Sequence, residues 1–238
     1  GMPSVASRDH GSMNDARDVN DALRGHMDNA GRLNSAGELN KQNIGKQTTE
    51  NATNKQSMTD QLKQAAAHTM QQAFHQQKQQ THTSLGKVFQ GISQSFDAMA
   101  QAQNTLSQTE KAVANALRCI PYVGPALAAP HDALSAQEAA MAQQSQAQSK
   151  QYQTKQKEQE TEAKKEDGLK KQEQTKAKEC TNKAKEFEKL LKEGEKKLNE
   201  LNKEKENIDK GKETNSQNIG DAIKRLEELN AQPNAQGQ

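Results

Sequence analysis

Apolar residues in this chain fall into stripes with helical spacing. Phe89, Ile92, Phe96, Met99, Gln103, Leu106, Glu110, Val113, Leu117 and Ile120 alternate by three and four, the spacing of a heptad seam with polar members at Gln103 and Glu110. A second seam, Phe187, Leu191, Gly194, Leu198, Leu201, Lys205 and Ile208, predicts a partner helix in the other half of the chain. Ahead of the first seam, Met58, Leu62, Ala66, Met70 and Phe74 form a narrow, drifting stripe. Between the two seams the anchors thin to Leu134, Met141, Tyr152 and Ala163, set among Ala, Gln, Ser and Lys that mostly tolerate helix. Ile219, Ile223, Leu226 and Leu229 predict a short C-terminal helix.

The interruptions matter as much as the stripes. "RCIPYVGPALAAPHD", Arg118 to Asp132, holds Pro121, Pro125 and Pro130 together with Gly124. Each proline lacks a backbone donor and disfavours helix in the residue before it, so the first helix should end near Ile120. Pro130 suits the first turn of a new helix, and Asp132 suits its positive end. Gly86 and Gly91 weaken helix locally, by about 1 kcal/mol each relative to Ala, and predict a break or kink around Thr81–Gly86, with a second weak point at Gly168. "GKETNSQ" predicts another stop. Residues 1–54 are rich in Asn, Ser, Asp and Gly, with only a weak stripe through Met13, Ala16, Val19, Leu23 and Met27.

These signals predict an all-α chain. Residues 55–210 form a long antiparallel coiled-coil hairpin with its bend at 120–130. Residues 1–54 are flexible or weakly helical, and 211–238 carry the short helix and a tail. Folding back near residue 125 sets Phe96 and Met99 opposite Tyr152, Phe89 opposite Ala163, Met70 near Cys180, and Gly86 near Gly168. The same pairing keeps Cys119 and Cys180 apart, so the expectation is two free thiols.

Composition reinforces the thin-helix reading. Only 31% of the 238 residues are hydrophobic and 3% aromatic, with no Trp, too few large side chains for a thick core. Lys+Arg number 33 and Asp+Glu 31, interleaved along the C-terminal half as on solvated helix faces. Nucleic acid is not an expected partner, since the interleaved glutamates oppose a phosphate-tracking stripe. No signal-peptide core is visible, so secretion without a cleavable signal, or a cytoplasmic stage before export, is the expectation.

Chemistry-bearing patterns are sparse. His68, His75 and His82 recur every seven residues, about 10 Å apart on a helix, too far to share one ion. They read as histidines flanking the apolar stripe, with a pH-responsive edge as the alternative. Cys119 has His131 as its nearest histidine in sequence, with nothing to orient it. There is no phosphate loop and no Ser-centred nucleophile motif. The expectation is therefore a protein that is not an enzyme, without catalytic residues, metal or cofactor.

The apolar bend is the candidate interaction site. Ile120, Tyr122, Val123 and Leu127 sit at the tip of a polar hairpin, where burial within the fold is limited. They should dock a protein partner or another copy of the chain, with reversible lipid contact as a further use. A membrane-spanning helix here is disfavoured by Arg118 and the internal prolines.

The polar Ser/Asn-rich "MPSVASRDHGSMNDARD", the Gln/Ala-rich helices, the few cysteines and the long hairpin resemble the layout of bacterial type III secretion substrates, especially translocators and needle-tip proteins. The resemblance lies in architecture and composition over about 180 residues. It implies export in an unfolded state and work at a host cell or membrane. The long Gly-rich hydrophobic segment of pore-forming translocators is missing. The leading expectation is a helical interaction protein, a secreted bacterial effector or a protein associated with the secretion apparatus. Its alternatives are a membrane-active translocator using residues 112–129 and a structural virion or scaffold protein.

Overall fold

The computed structural model describes residues 5–231, with side chains described from Met13 to Ala231. Two helices account for nearly all of it: α1 (Val5–Arg118) and α2 (Gly124–Ala231), joined by the turn 119–123. No strand occurs among the described residues. The helices pack against each other as an antiparallel hairpin, in two compact units. The central unit is Leu62–Thr181, and the terminal unit pairs the chain up to Gln61 with the chain from Asn182.

In the central unit a small layer alternates with a larger, mostly polar or aromatic one. The small layers recur every seventh residue: Gly86, Ser93, Ala100, Ser107 and Ala114 on α1, and Ala128, Ser135, Ala142 and Ser149 on α2. All but the half-buried Ser107 are buried, Ala114 completely. Side chains this small let the two backbones approach closely, and the serines bond across the gap. Ser93 and Ser149 share a 2.9 Å hydroxyl contact, and Ser107 and Ser135 one of 3.0 Å. Each serine of the Ser107–Ser135 pair also donates to the other's backbone carbonyl, at 2.8 and 2.9 Å. Phe89 and Phe96 flank Tyr152, with ring centroids 6.0 and 5.7 Å away. The expected Phe96–Tyr152 contact is therefore present.

The terminal unit is held by amides as much as by hydrocarbon. Asn40, only 3% exposed, donates to the Leu201 carbonyl at 3.0 Å. Asn215 donates to the His26 carbonyl at 2.8 Å and accepts from Asn29 at 3.3 Å. A buried amide that reaches the other helix's backbone is satisfied in one register only, which makes these residues register locks. Ala184 and Ile208 are buried in the same unit.

Several sequence expectations are corrected. Helix α1 covers the described part of 1–54, because Asn40, Gln47, Asn51 and Asn54 occupy seam positions that a hydrophobicity scan leaves blank. Thr81–Gly86 is continuous helix; Gly86 faces Gln159 and Gln156 of α2, at a distance where a methyl group would also fit. Gly168 lies within α2 and faces open space, so it does not meet Gly86. "GKETNSQ" is also helical, with Asn215 in the seam, and among the described residues no separate C-terminal helix occurs. Helix α2 begins at Gly124, six residues before Pro130, so Pro130 lies inside it. The missing proline donor leaves the Ala126 carbonyl without its usual helical partner. The earlier start moves the pairing: Phe89 meets Tyr152 and not Ala163, and Cys180 lies beside Gln64.

The seam itself is shifted on α1. Phe89, Phe96, Gln103, Glu110 and Leu117 occupy it as expected. Met99, Leu106, Val113 and Ile120 do not; they are exposed on its flank, and the small residue after three of them, Ala100, Ser107 or Ala114, turns inward, Ala100 and Ala114 fully buried and Ser107 half-buried. Glu166 turns inward to His75, and Lys170 pairs with Asp167 at 3.4 Å. A hydrogen bond from Lys171 leads in holding the Asp167 carboxyl below its ordinary range.

Candidate functional site

The turn 119–123 is built from successive short hydrogen-bonded loops. Ile120 N–H donates to the Leu117 carbonyl at 3.0 Å, and Gly124 N–H to the Ile120 carbonyl at 3.1 Å. Val123 N–H donates to the Pro121 carbonyl at 2.9 Å, which closes a γ-turn around Tyr122. Tyr122 has φ 71°, the left-handed region, and this is the rarer and strained form of the turn. Gly124 is fixed by space and not by φ. A Cβ built on it would lie 2.5 Å from the Leu117 carbonyl oxygen and 2.9 Å from that of Arg118.

Polar pairs brace the turn on either side. Arg118 forms an ion pair with Asp132, and His131 Nδ1 lies 2.6 Å from the Glu110 carboxylate. These pairs tie the last three turns of α1 to the first turns of α2. Cys119 is exposed, and its thiol donates to the Asn115 carbonyl at 3.5 Å.

The structure brings all four candidate tip residues to the surface. Tyr122 is fully exposed at 103%, with Ile120 at 41%, Val123 at 52% and Leu127 at 46%. Backbone strain on a non-glycine residue persists only where its surroundings impose it, and such residues cluster at functional sites. Here the strain holds an aromatic ring away from the fold, flanked by three aliphatic side chains. Its chemistry is that of a small apolar docking point.

The histidines form a second constellation. They lie in the seam and not on its flank. His68 Nδ1 is 2.5 Å from the Glu173 carboxylate, His75 is 2.6 Å from Glu166, and His82 is 2.6 Å from the Gln159 side-chain oxygen. Each layer holds one histidine and one oxygen acceptor, and no group of three metal-ligating side chains occurs among the described residues. These pairs act as polar register keys, as the asparagines do in the terminal unit. No helix among the described residues is long and apolar enough to cross a membrane.

No protein-family model, curated protein or solved structure matches this chain. The site must therefore be read from its own geometry. Sequence reasoning found the tip residues but missed Gly124 as the piece that closes it. It also placed Met99, Leu106, Val113 and Ile120 in the seam. The signal that identifies the first three as flank residues is in the sequence: a large apolar residue followed at once by a small one, repeated every seven residues.

Proposed function

We propose that this is a non-enzymatic interaction protein that engages a protein partner through the tip of its helical hairpin. The observation that carries the reading is Tyr122, fully exposed and held in a left-handed conformation among exposed Ile120, Val123 and Leu127. Aromatic residues dominate interface hot spots, and a ring already fixed outside the fold loses little freedom on binding. The likeness in layout to type III secretion translocators and needle-tip proteins supports a bacterial export setting for this interaction.

The test is a combined Ile120→Ser, Tyr122→Ser and Val123→Ser variant. It should keep its helix content by circular dichroism, because these residues lie in the turn or next to it. It should lose capture of the partner that the wild-type chain retains in crosslinking pull-downs. Equal capture by both proteins refutes the reading. So does flotation of the wild-type chain with phosphatidylcholine vesicles that the variant abolishes, since lipid would then be what the tip binds.

A further inference from the structure

The central unit carries an apolar face that its own hairpin leaves uncovered. Met99, Leu106 and Val113 recur every seventh residue of α1, and Leu127, Leu134 and Met141 do the same on α2. Their exposures lie between 38% for Val113 and 53% for Leu106. In an antiparallel pair, equivalent flanking positions of the two helices lie on the same side of the seam. The α2 column continues to Lys155, whose ammonium sits 4.8 Å from the Tyr152 ring centre and 6.0 Å from that of Phe89 on α1. That flank therefore borders a layer to which both helices contribute.

The column beside it holds short side chains on α1. Positions 95, 102, 109 and 116, each four residues before a member of the apolar column, are Ser, Ala, Thr and Ala, all exposed, and the corresponding α2 positions are Pro130, Gln137 and Gln144. Over this stretch neither column holds a charged residue, whereas the opposite flank carries Asp97, Lys111, Arg118 and Asp132. One side of the unit is thus charged, and on the other α1 sets large apolar knobs beside small gaps.

We infer that this face binds a second copy of the chain, giving a four-helix assembly along the central unit. Three properties select that occupant. First, the period is seven, so the face winds with a left-handed supercoil. From Leu85 to Ile120 it runs about 50 Å, roughly a third of a typical 150 Å pitch, and turns by about 120°. A helical partner follows that turn, and a flat lipid surface does not. Second, knobs and gaps lie on the same face, so a copy related by a two-fold axis offers gaps to knobs in both directions. Third, the face is two helices wide near the turn and one helix wide beyond. At about 10 Å per helix it covers on the order of 800 Å², what a stable interface buries on each partner. Its lack of charge removes the repulsion that two identical copies would otherwise meet.

Sedimentation equilibrium of the full chain tests the assignment. The wild-type chain should have twice the mass of one chain at micromolar concentration. A Met99→Gln, Leu106→Gln, Val113→Gln variant should sediment as a monomer with unchanged helix content, its dissociation constant raised at least about 100-fold. Should that variant lose helix, Leu134→Gln with Met141→Gln on the other helix must give the same loss of dimer. A monomeric wild-type chain overturns the inference, as does a dimer that both variants preserve. The Tyr122→Ser, Val123→Ser pair should remain a dimer, which separates this face from the tip; a monomer there would place self-association at the turn and overturn it.

Discussion

Replacing Ser149 by Leu should lower the stability of the central unit by about 3 kcal/mol. Ser149 is 1% exposed and shares its layer with Ser93. Leucine adds side-chain carbons to a layer that has no room for them, and overpacking of this kind costs about 1–3 kcal/mol. It also removes the hydroxyl that Ser93 contacts, leaving the Ser93 hydroxyl its 3.3 Å bond to the Ser149 backbone carbonyl, a further loss of about 1 kcal/mol. Ser149→Ala separates the two contributions, since it removes the hydrogen bond without adding volume. It should cost about 1 kcal/mol. The measurement is denaturant unfolding followed by circular dichroism, with amide exchange to localise the change. Exchange should rise around Ser93 and Ser149 and stay unchanged around Asn40 and Leu201. A leucine variant as stable as wild type would mean that the helices are not held together by their small layers.

That prediction rests on what the sequence conceals most. The hairpin was legible from two heptad stripes and a Pro/Gly-rich bend. The seam was half legible. Phe89, Phe96 and Leu117 announce themselves by size, but the alternate layer consists of Gly86, Ser93, Ala100, Ser107 and Ala114. A search for hydrophobic periodicity passes over such residues and selects the larger neighbour one position earlier. The physical reason for the mismatch is that close approach of two backbones is limited by side-chain bulk, not by polarity. Serine and glycine therefore do there what leucine does in a wider coil.

The same bias hid the helix before residue 55. Asn40, Asn51 and Asn215 look like loop residues, and helix propensity places Asn near the bottom of the scale. In the folded terminal unit Asn40 and Asn215 donate to backbone carbonyls of the opposite helix, a tertiary gain that no local propensity contains. The candidate site was legible for a different reason. Prolines, a glycine and a cluster of apolar residues in a polar chain mark a turn whatever the register. What could not be read was its tightness, because that depends on how closely α2 starts beside the end of α1.

Gly124→Ala should disrupt the turn, at a cost on the order of 2–3 kcal/mol. The added methyl would sit 2.5 Å from the Leu117 carbonyl oxygen and 2.9 Å from that of Arg118. Both oxygens belong to backbone in the last turn of α1, so no side chain can swing aside to relieve the contact. The start of α2 must move instead, stretching the bond from Gly124 N–H to the Ile120 carbonyl and the Arg118–Asp132 pair. Tyr122→Gly is the informative contrast. Glycine removes the roughly 1–2 kcal/mol cost of the left-handed conformation, while its freedom in the unfolded chain returns about 0.5–1 kcal/mol of that. The variant should therefore be as stable as wild type or slightly more so, with the same turn but no ring. If the tip serves only to connect two helices, Tyr122→Gly will bind whatever the wild-type chain binds. If Tyr122 is the docking group, partner capture will fall in a protein whose melting temperature has not dropped, while Gly124→Ala will lower both together. Thermal unfolding and pull-down on the same two preparations decide between these outcomes.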